Sequence, residues 1–174
     1  MQRGGHLLPA VLFVALLALA ASLAPAGAVN GWREDFGTLT HHSGLSCPDR
    51  IGALERFEVA GTTATMLASC TYRTDRIYLM VQIWEQGYLL RATRDYRDRF
   101  TETGFTQVTG AGVARKGLTF VVGRSSDTQR RETIWPVSVG RRGLVLWMNY
   151  AYPGDNKAVE AAYNDMVETL RSMK

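Results

Sequence analysis

The sequence predicts an α+β fold, a mostly antiparallel β-sheet with two main amphipathic helices packed on it, and three observations carry that expectation. Apolar residues alternate with a period of two through residues 64–72, 77–85 and 144–152, as in strands half-buried on a sheet. The period becomes helical through 88–103 and again through 157–172. Connections between the expected strands are of hairpin length, which favours antiparallel pairing.

Residues 54–59 read as a short strand, and Gly61-Thr62-Thr63 turns the chain into 64–72, where Met66, Ala68, Cys70 and Tyr72 share a face. Residues 73–76 are a polar turn, and 77–85 return with Ile77, Leu79, Val81 and Ile83 on one face. Leu89, Ala92, Tyr96 and Phe100 mark the first helix, with Leu90 and Thr93 widening the stripe and Gly104 at the C-cap. Its other face carries Arg91/Asp95, Arg94/Asp98 and Asp95/Arg99, a solvated face by the plain reading and a partner-docking face by the other. Residues 105–108, 118–125 and 133–139 read as strands, with a hairpin turn at Gly110-Ala111-Gly112 and a polar loop at 126–131. Pro136 implies an edge or a bulge. The last strand, 144–152, ends at Pro153-Gly154, and Asp155 or Asn156 caps a helix whose apolar side is Val159, Ala162, Tyr163, Met166, Val167 and Leu170.

Residues 1–28 have the three parts of a secretory leader. Arg3 gives a basic start, residues 7–23 are apolar except at Pro9 and Ser22, and Ala26-Gly27-Ala28 is a small-x-small end. Processing after Ala28 is expected, giving a periplasmic or secreted product. An uncleaved anchor is the competing reading, but the apolar run is at the lower limit for spanning a bilayer, and Pro25 and Gly27 favour cleavage. No cysteine directly follows the cleavage point and no twin arginine precedes the apolar run, so neither lipidation nor folded export is expected. The mature chain would keep roughly 150 residues, the size of one domain. It divides into an irregular, polar N-terminal arm at 29–46 and a single α+β domain at 47–174.

The formal net charge is +4, with basic residues scattered among acids rather than gathered in a stripe with aromatics. That distribution argues against a nucleic-acid partner. The apolar stretches 118–122 and 144–148 are too short to span a membrane. Two cysteines in an oxidising compartment admit one intramolecular pairing, Cys47 with Cys70, in a spacing that suits neither a redox CxxC motif nor a zinc site. That disulfide closes a loop of about 24 residues, worth about 3 kcal/mol in chain entropy.

No catalytic, cofactor or metal site is expected. His41-His42 is the only imidazole pair after the leader and brings no third ligand with it. The acids pair by sequence with neighbouring arginines: Asp49 with Arg50, Glu55 with Arg56, Asp75 with Arg76, Glu132 with Arg131. Gly110-Ala111-Gly112 lacks the lysine and the following helix of a phosphate loop.

Two surfaces remain as candidates. Trp84, Trp147, Gln82 and Asn149 lie on the strand faces opposite the apolar sets, a mixture that suits either a binding face or the seat of a helix. Arg130-Arg131 and Arg141-Arg142 fall in two expected loops which, at one end of the sheet, would recognise an anionic group; solvated turns are the plainer reading.

The order of elements, with the hairpin over 64–85, the helix at 88–103 and the closing helix at 157–172, resembles the PsbP-like and DcrB-like α/β/α sandwich. The resemblance implies an antiparallel sheet flanked by helices, in an extracytoplasmic accessory or binding protein with no shared catalytic residues. The expected function is therefore an exported, non-enzymatic binding protein of the cell envelope. It would act through a sheet face or arginine-rich loops on a partner protein or a small anionic ligand. An envelope enzyme, such as a carboxylate-based hydrolase, is the alternative.

Overall fold

Residues 31–85 and 87–172 are described by the structure, a computed structural model, and each expected strand and both helices are present. The leader, with its processing point after Ala28, lies outside the described residues, as do the first two residues of the expected arm. Eight strands form one sheet in the order β4 (Arg50–Ile51), β5 (Leu54–Ala60), β6 (Met66–Arg73), β7 (Tyr78–Trp84), β11 (Arg142–Tyr152), β10 (Gln129–Val139), β9 (Leu118–Arg124) and β8 (Thr106–Val108). Every neighbouring pair is antiparallel. The α+β class is as the alternation predicts. Among the described residues no helix is long and apolar enough to cross a membrane.

The sheet has two unlike faces. On one, β7 and β11 pair Ile83 with Leu144, Val81 with Leu146 and Leu79 with Met148, so six large apolar side chains form one floor. Helix α2 (Asn156–Ser172) covers that floor with Val159, Ala162, Met166, Val167 and Leu170. Several polar groups buried on this face are hydrogen-bonded, which offsets their removal from water, while the Tyr72 hydroxyl has no partner among the described residues. Thr133 Oγ1 lies 2.9 Å from both Thr119 Oγ1 and the Tyr150 hydroxyl, and Trp135 Nε1 donates to the Val113 carbonyl oxygen at 2.9 Å. Asp155, at the start of α2, accepts the Ala151 N–H at 2.9 Å and pairs with Arg76 at 2.6 Å, fixing the helix to the end of β11.

Helix α1 (Leu89–Glu102) lies on the opposite face, against β8, β10 and β11. Leu89, Ala92, Tyr96 and Phe100 point inward as their spacing predicts, whereas Leu90 does not widen the stripe and stands exposed. Gly104 ends the helix with φ +86°, and the Phe105 N–H closes onto the Phe100 carbonyl oxygen at 3.0 Å. Of the three ion pairs expected on the solvent face, Arg91–Asp95 forms at 3.8 Å, while Asp98 turns to Arg97 at 3.1 Å.

The expected irregular arm is instead a second sheet of β1 (Trp32–Asp35), β2 (Thr38–His41) and β3 (Ser46–Pro48). Its polarity conceals the alternation, because only Trp32, His41, Leu45 and Cys47 are fully buried, Leu39 packs partly against the core, and the rest is partly or wholly exposed. Trp32, Leu45 and Cys47 belong to the same core as α2, so arm and domain share one interior. The Cys47–Cys70 disulfide joins β3 to β6 inside that core, between Cα atoms 6.2 Å apart. Arg56 seals the seam: it pairs with Asp49 and donates to the backbone carbonyls of Cys47 and Gly37.

Three further segments depart from expectation. Gly110-Ala111-Gly112 is not a tight hairpin turn but leads into a 3₁₀ turn, Gly112–Lys116, that buries Val113 and Ala114. Gly110 is required there because a Cβ would meet the Ala114 backbone at 2.4 Å. The expected loop at 126–131 is shorter, since β10 already begins at Gln129. Pro136 lies inside the sheet, yet beyond the last β10 residue paired with β9, Ile134, so its missing N–H interrupts no ladder on that side.

The β1–β2 turn places Phe36 at φ +44° and Gly37 at φ +74°, with Phe36 fully exposed. Two positive φ values suit Asn-Gly, not Phe-Gly, and a left-handed non-glycine residue costs roughly 1–2 kcal/mol. Phe36→Asn is therefore expected to raise the unfolding free energy by about 1 kcal/mol in urea titration. An unchanged or lowered midpoint would contradict the strain.

Candidate functional site

The α1 side of the sheet carries the tryptophan and amide residues singled out from the sequence. Along β7 it presents Tyr78, Met80, Gln82 and Trp84; along β11, Trp147 and Asn149. Leu89 sits over Gly143, Ala92 closes on Ile134 and Val145, and Phe100 stacks on Phe120 with centroids 5.1 Å apart. Trp84 and Trp147 are half-buried at the margin of that cluster. Trp84 Nε1 is enclosed and has no hydrogen-bond partner among the described residues. The structure thus seats a helix on part of this face, as the plainer reading has it, and leaves part of it uncovered.

At the helix margin the polar groups are tied together. The Tyr96 hydroxyl donates to Gln82 Oε1 at 2.8 Å, and its burial pushes its pKa above the usual tyrosine range. Glu132, expected to pair with Arg131, instead accepts from Trp147 Nε1 at 2.9 Å and from Asn149 Nδ2 at 2.7 Å. Burial raises the Glu132 pKa, against the lowering effect of those two donors and of nearby Arg130. The sequence hid this group because β10 alternates: Arg131 and Glu132 are adjacent in the chain but point to opposite faces. Both Trp147 and Asn149 are thereby oriented by one carboxylate.

Beyond the helix margin, Phe57, Glu58 and Arg73 are exposed, Tyr78 and Met80 are part-exposed, and the small Thr71 and Ser69 lie buried between them. Tyr78 meets Trp147 edge-on with centroids 5.6 Å apart. Among the described residues α1 reaches β7 at its margin and lies over β8, β10 and β11, so this half of the face stays open. The result is a shallow surface of aromatic, thioether and amide groups.

The arginine pairs do not converge. Arg130 pairs across the sheet with Ala151 and Arg142 with Val139, which places the two pairs at opposite ends of the β10–β11 hairpin. Nor are they loop residues, except Arg141. Arg131 is buried, stacked 3.4 Å from the Tyr152 ring centroid and donating through Nε and Nη2 to Gln129 Oε1. Arg142 donates to the Gly44 carbonyl oxygen at 3.4 Å. A different cluster forms where Arg130 meets the β6–β7 turn. Arg56, Arg73, Arg76 and Arg130 line an open groove of about 660 Å³ together with Glu55, Phe57, Asp75 and Tyr78. Sequence reasoning missed it because its members come from four strands and a turn.

No family model, curated protein or solved structure matches the chain. His41 is buried against Trp32 and His42, with Nδ1 2.9 Å from Ser43 Oγ. Among the described residues no group of three or more His, Cys, Asp or Glu side chains is arranged to hold a metal ion. The other acids exchange the partners expected from sequence: Asp49 takes Arg56, Glu55 takes Arg50 at 3.1 Å, and Asp155, not Asp75, takes Arg76.

Glu132 supplies a pH test. Its folded pKa lies above the ordinary value of 4.5, so between those two values the folded chain binds more protons than the unfolded one, and stability falls as pH rises. Glu132→Gln removes that titration. The stability advantage of the parent over the variant is expected to shrink as pH increases upward from 4.5 in urea titrations. An advantage that grows with pH would contradict the direction of the shift.

Proposed function

We propose that this chain is an exported, non-enzymatic binding protein of the cell envelope that engages a partner protein through the uncovered half of its sheet. The observation that carries the reading is the partial reach of α1, which leaves Tyr78 and Met80 accessible beside Trp147. Aromatic and methionine side chains bury large areas at little entropic cost, and they are enriched at protein interfaces for that reason. The Glu132 carboxylate holds Trp147 and Asn149 in fixed orientations before any partner arrives, which lowers the ordering cost of binding. Glu132 itself has both oxygens engaged and takes no chemical role in this reading.

Export is part of the proposal, supported by the leader-like sequence at 1–28 and by the Cys47–Cys70 disulfide, a bond that persists in oxidising compartments. The accessory role agrees with what the PsbP-like and DcrB-like resemblance implies.

Crosslinking in the native envelope tests the reading. A Tyr78→Ala/Met80→Glu variant is expected to lose at least about 10-fold of the crosslinked adduct, since interface anchors contribute about 2 kcal/mol or more. Its thermal midpoint should stay close to that of the parent, while Arg141→Ala should retain the adduct. Failure of the parent to form an adduct, or an undiminished adduct in the double variant, would overturn the proposal.

A further inference from the structure

The groove at the end of the open face contains four guanidinium groups, and their commitments differ. Arg56 is held by Asp49 and two backbone carbonyls. Arg76 is neutralised by the buried Asp155 carboxylate. Arg73 and Arg130 are exposed, and neither pairs with a carboxylate among the described residues.

Arg73 lies with its guanidinium carbon 3.7 Å from the Phe57 ring centroid, so its flat face is stacked while its N–H edge stays available. Arg130 donates one N–H to the Arg76 carbonyl oxygen at 3.2 Å, which anchors the side chain and leaves its other donors. Two acids share the groove. Glu55 is turned to Arg50 at 3.1 Å, and Asp75 stands exposed in the β6–β7 turn.

Arg73 on β6 and Arg130 on β10 are separated by β7 and β11, three strand spacings or about 14 Å between backbones. Arg73 is held over Phe57 on the β5 side of the groove and Arg130 reaches to the Arg76 carbonyl oxygen at the β6–β7 turn, so the one groove, with Tyr78 also in its lining, offers guanidinium donors from two flanks. The planar fork of N–H donors on each guanidinium matches the oxygens of a carboxylate or a phosphate.

We propose that Arg73 and Arg130 form an oxyanion-binding site, which takes a phosphate or carboxylate group carried by whatever docks on the open sheet face. The inference rests on the binding reading above and gives its partner a chemical mark. Stacking on Phe57 and the Arg130 hydrogen bond hold both cations in place before the anion arrives.

The test is titration of the purified chain with inorganic phosphate and, in a parallel arm, citrate, each against sodium chloride at equal ionic strength. At least one anion should bind above the chloride background, and the stronger arm identifies the oxyanion. Arg73→Gln/Arg130→Gln should weaken that binding at least about 10-fold with its circular-dichroism melt unchanged, whereas Arg141→Gln/Arg142→Gln should bind as the parent does. No binding above chloride in either arm, or equal affinity in the Arg73/Arg130 variant, would overturn the site. No anion binding by the parent chain while its envelope adduct forms would reject this site alone; anion binding by the parent with no envelope adduct would reject the partner reading alone.

Discussion

The register between β7 and β11 is the constraint on which the rest of the molecule depends. It sets Leu79 against Met148, Val81 against Leu146 and Ile83 against Leu144, so that one continuous apolar floor exists for α2 to cover. Side chains alternate along a strand, and a slip of one residue would carry all six to the other face. The same pairing therefore also determines what the second face contains: Tyr78, Met80, Gln82 and Trp84 beside Val145, Trp147 and Asn149. Core and candidate binding surface are two consequences of one register.

Two unequal helices then divide the molecule. α2 is anchored at its start by Asp155, and its buried residues join the core that also receives the N-terminal sheet and the disulfide. α1 has a narrower apolar stripe and a smaller cluster beneath it, and it covers β8, β10 and β11 but not the β5–β6 side. An uncovered sheet face of mixed character is tolerable where large apolar groups are separated by polar ones. Here Thr71, Ser69, Gln82 and Asn149 interrupt the aromatic and thioether groups, and Arg73 and Arg130 rim one end.

Much of this was legible in the sequence, because period-two alternation reports a strand whenever one of its faces is apolar. The β6–β7 hairpin, β11 and both helices announce themselves in that way. The N-terminal sheet does not, since its strands bury little beyond Trp32, His41 and Cys47, and polar spacing resembles a loop. The site was legible only in part. Trp84, Trp147, Gln82 and Asn149 do share one face, but the contact of Glu132 with Trp147 and Asn149 is a cross-strand relation that requires the β10–β11 register. The arginine groove depends on strand order, which sequence spacing does not encode, and the ion pairs guessed from adjacency changed partners for the same reason.

Peroxide oxidation of the purified chain, followed residue by residue by mass spectrometry, tests the half-covered sheet most directly. Met80 on the open side should oxidise readily, while Met148 and Met166, both buried in the core between α2 and the sheet, should be protected until the chain unfolds. If Met80 were protected to the same degree as Met148, the face would be covered and the account contradicted.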